Sequence, residues 1–237
     1  MTRHFGILIP STNRTIEIEF TRLIPESLQF HTARMGKGGD TPFSPSFDDD
    51  VAYQSKMLGN AKVEAISLIQ TSASLFEDGY DERIKALITE HTGAPAYTSA
   101  EAIGAAARAL GTRKIALVSP YSEQVIGQAK NYFEADCALE VVAMEGFGAT
   151  DAYTIGTLDE SHAVEAFERV DSPEIEALVV PGGNFPTMRH IASWEARFEK
   201  PVITTNQVVL WSMMANLGVK DPIANHGRLL AEVPDWA

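Results

Sequence analysis

One cysteine, Cys137, stands in 237 residues. No intramolecular disulfide can form, and the chain suits a reducing cytoplasm. No apolar run approaches the ~20 residues of a membrane-spanning helix. The start, Met1-Thr2-Arg3-His4, enters a strand-like run at once and leaves no room for a signal peptide. The six histidines (His4, His31, His91, His162, His190 and His226) fall at no metal-ligand spacing, so no metal site is expected. Basic residues are scarce: 19 Lys and Arg against 32 Asp and Glu give a formal charge of −13. Such a surface repels phosphate backbones and argues against a nucleic-acid partner. It says little about a small anionic ligand, whose pocket sets its own potential. No Gly-x-Gly-x-x-Gly follows a first strand, and Gly182-Gly183 is too short for a phosphate loop. Ser11 and Ser72 lack the flanking glycines of a nucleophile elbow.

What is present is a repeat. Phe5-Gly6-Ile7-Leu8-Ile9-Pro10 echoes Ile115-Ala116-Leu117-Val118-Ser119-Pro120, and Val63–Ile69 echoes Ile175–Pro181. Pro95-Ala96-Tyr97-Thr98 echoes Pro201-Val202-Ile203-Thr204. Echoes in one order imply two copies of one α/β unit. Strands are expected at Phe5–Ile9, Gln29–Ala33, Ala65–Ile69, Ala96–Thr98, Ile115–Val118, Glu140–Ala143, Leu178–Val180 and Val202–Thr204. Helices are expected at Glu17–Ile24, Asp48–Leu58, Asp81–Glu90, Ala100–Leu110, Glu123–Phe133, Glu160–Val170, Met188–Arg197 and Gln207–Asn216. Ser99 and Asp159 read as helix caps, and Gly111 and Gly218 as left-handed helix ends. The alternation predicts an α/β fold of two Rossmann-like parallel-sheet halves. Residues 1–98 with 206–237 form one half, and 99–205 form the other. Gly36–Asp50, rich in Gly, Pro and Asp, reads as a surface loop, either a lid or a solvated connector.

Ligands of open α/β sheets bind beyond the carboxyl ends of the strands. That rule selects Pro10-Ser11-Thr12-Asn13, Gln70-Thr71-Ser72-Ala73, Pro120-Tyr121-Ser122 and Gly182-Gly183-Asn184. Each precedes an expected helix, so free backbone amides should line the cleft and hold a carboxylate or an oxyanion.

These segments resemble the aspartate/glutamate racemase superfamily, in its maleate cis–trans isomerase and arylmalonate decarboxylase branch. The resemblance rests on Pro10-Ser11-Thr12-Asn13 with Glu17 and Glu19, Gln70–Ser74 with Gly79-Tyr80-Asp81, Ser119-Pro120-Tyr121, and Gly183-Asn184-Phe185 with Thr187. It implies pseudo-twofold halves, a small carboxylate between them, no metal or organic cofactor, and a homo-oligomer. It also implies a cysteine at each of two facing positions in the isomerases, and at the second only in the decarboxylases. Here those positions hold Gln70 and Gly182, and Ala152 stands where isomerases carry asparagine. A thiolate is both nucleophile and proton partner for a carbon acid; a carboxamide and a bare backbone are neither. Two-thiol isomerisation or racemisation is therefore not expected.

The expected catalytic set is Gln70, Tyr121 and Gly182, with Ser11, Asn13, Thr71, Ser72, Gly183 and Asn184 binding substrate. Tyr121 could donate a proton or bind a carboxylate, against packing under a loop. Glu17 and Glu19 fall on different helix faces, at least one of them solvated. His190 is the best general base by position but is expected beyond reach of the cleft. His226 either covers the cleft or ends a helix. Cys137 is expected to be structural. Three readings follow: a decarboxylase or other lyase of a small acid, a hydrolase or hydratase in the same cleft, and a catalytically silent acid-binding protein.

Overall fold

The computed structural model describes residues 2–40 and 42–236. Four parallel strands, β1 (Arg3–Pro10), β2 (Leu28–Met35), β3 (Ala65–Leu68) and β4 (Ala96–Thr98), form one sheet in the order β2-β1-β3-β4. Four more, β5 (Lys114–Ser119), β6 (Glu140–Gly146), β7 (Ala177–Val180) and β8 (Val202–Thr204), repeat that order as β6-β5-β7-β8. The inner strands β3 and β7 are buried at every residue and, Ser67 apart, apolar, as parallel strands covered on both faces must be.

α1 (Ile16–Leu23), α2 (Asp48–Asn60), α3 (Tyr80–Thr92) and α4 (Ser99–Ala109) follow β1 to β4 in turn. α5 (Glu123–Ala135), α6 (Ala152–Ile155), α7 (Glu160–Val170), α8 (Ile191–Phe198) and α9 (Thr205–Asn216) alternate with β5 to β8, and α10 (Arg228–Glu232) comes after them. The helices after the last strand of each sheet, α4 and α9, pack on one another. One apolar cluster therefore runs through both halves, from Phe5 and Ile103 to Val179 and Trp211. No helix among the described residues is long and apolar enough to cross a membrane.

Expected boundaries hold to within a few residues, with three differences. Thr98, not Ser99, caps α4, accepting from the Glu101 amide at 3.2 Å. Ser99 lies in the first turn and turns its hydroxyl to Thr71. Residues 188–190 form a turn, so α8 begins at Ile191. The short helices Thr71–Leu75, Ala152–Ile155 and Arg228–Glu232 carry too few residues for a readable period. Asp159 caps α7 as expected, and Gly111 and Gly218 are left-handed.

Candidate active site

Two strand-end turns define the site. After β3 the chain turns through Gln70–Ala73, closed by the Ala73 amide on the Gln70 carbonyl at 2.8 Å. After β7 it turns through Gly182–Phe185, closed by the Phe185 amide on the Gly182 carbonyl at 3.0 Å. A turn closed this way leaves its two middle amides outside the closing bond. Those are Thr71 and Ser72 on one side and Gly183 and Asn184 on the other. All four residues line one chamber of about 50 Å3, with Asn13, Gln70, Tyr121 and Gly182. The donors after β3 thus sit at the start of the short helix Thr71–Leu75, whereas those after β7 come from a turn. After β7 no helix begins until Ile191, because Gly182-Gly183 and Pro186 favour a tight reversal over a helical start.

Gly182 needs to be glycine. Its φ is +126°, and a Cβ there would stand 3.0 Å from Pro120 Cγ and 4.0 Å from the Tyr121 phenol oxygen. Its amide donates to Thr205 Oγ1 at 2.9 Å. Thr205 Oγ1 lies 3.2 Å from Thr71 Oγ1, which lies 2.8 Å from Ser99 Oγ. The first residues of α4 and α9 thus brace the two turns from behind. Neither Ser99 nor Thr205 was among the expected site residues, though both directly follow the Thr98 and Thr204 echo.

Tyr121 is buried, and that burial pushes its phenol well above the ordinary tyrosine range. The neighbouring Ser72 amide and hydroxyl oppose the shift. At neutral pH the group is a protonated donor.

The remaining polar residues hold the halves together. Asn13 Nδ2 donates to the Gly183 carbonyl at 3.1 Å, while its Oδ1 accepts from the Thr15 and Ile16 amides. Asn184 Oδ1 accepts from the Arg14 amide at 2.8 Å and its Nδ2 donates to the Ala152 carbonyl at 2.6 Å. Glu19 accepts from the Thr187 and Met188 amides at 2.9 and 3.0 Å and from Asn206 Nδ2 at 2.6 Å. Burial raises its carboxyl pKa, and those hydrogen bonds oppose the rise. Glu17, on the other face, pairs with Arg34 at the surface.

Ser11 is exposed and lines only an outer chamber of about 200 Å3, walled by Met35, Pro42, Phe43 and Tyr153. Gly36, Lys37, Pro42, Phe43 and Ser44 roof this chamber, and the three Asp residues 48–50 form the first turn of α2. Thr41 of that loop lies outside the described residues. Gly38 passes so close to the Pro45 carbonyl that a Cβ would lie 1.7 Å from it. Phe43 is held at φ 65°, a strain of about 1–3 kcal/mol for a non-glycine residue. Its ring packs on Tyr121 with centroids 5.2 Å apart, which offsets that cost. Gln70 holds this roof through its carboxamide: Nε2 donates to the Ser44 carbonyl at 3.0 Å and Oε1 accepts from the Ser46 amide at 3.2 Å.

Neither histidine candidate lines either chamber. His190 caps α8 and stacks on Trp194, and His226 is half-buried with Nδ1 near the Ala224 carbonyl. Cys137 is buried in a separate cavity against Tyr132 and Arg108, its thiol pushed up to about 12 chiefly by burial. No group of three or more His, Cys, Asp or Glu among the described residues could hold a metal ion.

The family model for arylmalonate decarboxylase matches residues 5–230. The chain belongs to that family. An arylmalonate decarboxylase from Bordetella bronchiseptica is 25% identical over 241 residues, covering 98% of each chain. A maleate isomerase from Geobacillus stearothermophilus is 24% identical over 249 residues, covering 98% of this chain and 99% of that one. Among solved structures, a Nocardia farcinica maleate cis–trans isomerase mutant with a covalently bound succinylcysteine intermediate superposes with a TM-score of 0.86. It is 22% identical and covers 98% of this chain and 99% of its own. Unliganded arylmalonate decarboxylase gives 0.82 at 23% identity, covering 98% and 100%. This member of the arylmalonate decarboxylase family lines its two chambers with turns, hydroxyls and the phenols of Tyr121 and Tyr153, and with no thiol.

Proposed function

We propose that the cleft decarboxylates a small acid bearing two carboxylates on one carbon. The observation that supports this most is the pair of facing turns, whose middle amides flank one chamber with the neutral Tyr121 phenol. One carboxylate of the substrate lies on the Thr71, Gly183 and Asn184 amides, the Ser72 amide facing the phenol. The other faces the apolar part of the chamber, near Ile69, Pro10 and Ile155, where a charge is poorly solvated. Its bond to the α-carbon breaks and carbon dioxide leaves. The electron pair passes into the retained carboxylate as an enediolate, which the amides stabilise. Tyr121 then delivers its proton to the α-carbon. The phenolate is held by the Ser72 amide until solvent reprotonates it.

The isomerase relatives suggest a different reaction, and one of them is seen with a succinylcysteine. The only thiol of this chain lies in another cavity and is neutral near pH 7, so thiol addition to maleate is not its chemistry. A second reading, an acid-binding protein without turnover, draws on the Gln70 carboxamide and both asparagines being bonded to protein groups.

Incubation with malonate, methylmalonate, phenylmalonate and maleate, followed by NMR, tests these readings. Carbon dioxide and the monoacid are expected from a substituted malonate. Fumarate appearing at enzyme-like rates would overturn the assignment, and binding without any product would favour the silent reading. Solvent oxygen-18 incorporated into product would point instead to hydrolysis or hydration.

A further inference from the structure

The described residues of the 36–47 segment cover the cleft without belonging to a sheet or helix, so specific bonds must hold them there. Gln70 supplies two of them. A carbonyl at one residue and an amide two further along, here Ser44 and Ser46, are the groups a strand residue engages on a parallel neighbour. The Gln70 carboxamide is in effect a one-residue strand laid against the lid. Because the amide is planar, two contacts fix both the position and the orientation of the segment. A further attachment is the Ser72 hydroxyl, which donates to the Phe43 carbonyl at 3.0 Å. That same serine holds the Tyr121 phenol. Phe43 walls both chambers, so moving the lid moves the partition between them and loosens the phenol's partner.

We propose that Gln70 is a specificity-determining residue of this cleft. Its carboxamide latches the lid where Phe43 divides the chambers. An acid with a bulky substituent must release that latch to seat the substituent in the outer chamber, whereas malonate makes no such demand. The proposal deepens the decarboxylase reading and rests on it for the ligand, but the latch itself needs no ligand.

The first measurement therefore uses the unliganded protein. Trypsin cleavage after the exposed Lys37 and hydrogen exchange at the Ser46 amide are compared in wild type, Gln70→Ala and Gln70→Glu. Losing two hydrogen bonds raises local opening, and with it both rates, by about 10- to 30-fold in the Ala variant. The Glu variant separates latching from space-filling. An ionised carboxylate has no proton for the Ser44 carbonyl, whereas a protonated carboxyl regains the donor. Ser46 protection, corrected for intrinsic exchange, should return towards wild type on acidification in Gln70→Glu but not in Gln70→Ala. Equal protection in all forms and at all pH values would overturn the latch.

Calorimetry with phenylmalonate and malonate then reads specificity. The ratio of their dissociation constants should shift in favour of phenylmalonate by about tenfold in Gln70→Ala. An unchanged ratio beside lost protection would overturn the specificity role. If the wild type binds neither acid, the ligand reading of the cleft fails and the specificity role with it, while the exchange data still decide the latch.

Discussion

The turns after β3 and β7 occupy equivalent places in sheets of identical order, close with the same bond and line the same chamber. Their side chains part company. Gln70 sends a carboxamide away from the chamber to the lid, while Gly182 has no side chain and a backbone that L-residues rarely adopt. Duplication preserved the amides, which any residue supplies, and let the first side chain diverge. The chamber is thus symmetric in its donors and asymmetric in its proton source. Tyr121 extends from the β5 end with no phenolic counterpart at Ser11, the matching position after β1.

The sharpest test of that asymmetry is Tyr121→Phe. Removing a proton donor typically costs about 10²–10⁴ in rate, so carbon dioxide release should fall by that factor while malonate affinity stays within a few fold. A near-normal rate would mean that water supplies the proton and that the asymmetry is incidental.

Next comes the seam that keeps the turns facing. Asn184→Ala removes an acceptor from the Arg14 amide and a donor from the Ala152 carbonyl, both in partly buried surroundings. A loss of about 2–4 kcal/mol in denaturant unfolding is expected. A loss below that of an ordinary surface substitution would show that the halves dock without this clip.

Substituting the bare turn should cost less. Gly182→Ala or Gly182→Cys forces an L-residue to φ +126° beside Pro120, with an expected loss of about 1–3 kcal/mol. The Cys variant should yield no fumarate from maleate, because a single thiol has no partner in the opposite turn. Fumarate production would show that the Gln70 turn already provides what the missing thiol did.

The smallest effect belongs to Cys137, outside both turns. Cys137→Ala should leave turnover unchanged and lower stability by about 1–2 kcal/mol at neutral pH through lost packing. The native thiol sits above the ordinary 9.0, so its contribution is fully present below pH 9.0 and declines as pH rises from 9.0 to about 12. Wild type should therefore lose stability more steeply than the variant across that alkaline window. Parallel curves would show that the thiol ionises freely in the native state.

Much of the cleft was legible because strand ends are. Apolar runs such as Ile7-Leu8-Ile9 and Leu178-Val179-Val180 mark buried parallel strands, and the residue after each run must sit at a sheet edge. That places Asn13, Gln70, Tyr121 and Gly182 at one chamber without knowledge of packing. Roles were less legible than places. Asn13 and Asn184 look like ligand donors in sequence, yet each bonds across the seam to residues about 170 positions away. Glu19 reads as a helix-start charge until the Thr187 and Met188 amides are seen against it.

Local order in the chain determined the repeat, the strand and helix succession, and the absence of a thiol from the strand ends. These follow from periodicity and residue identity, which act over a few neighbours. Only the tertiary structure decided which polar groups remain for a ligand. A hydrogen-bonding side chain is used by whatever partner the fold places within about 3 Å, and such partners come from segments no local pattern connects. So Gln70, in line for the chemistry by sequence, holds a lid, and the Tyr121 phenol is buried against Phe43 from the other half, which raises its pKa further.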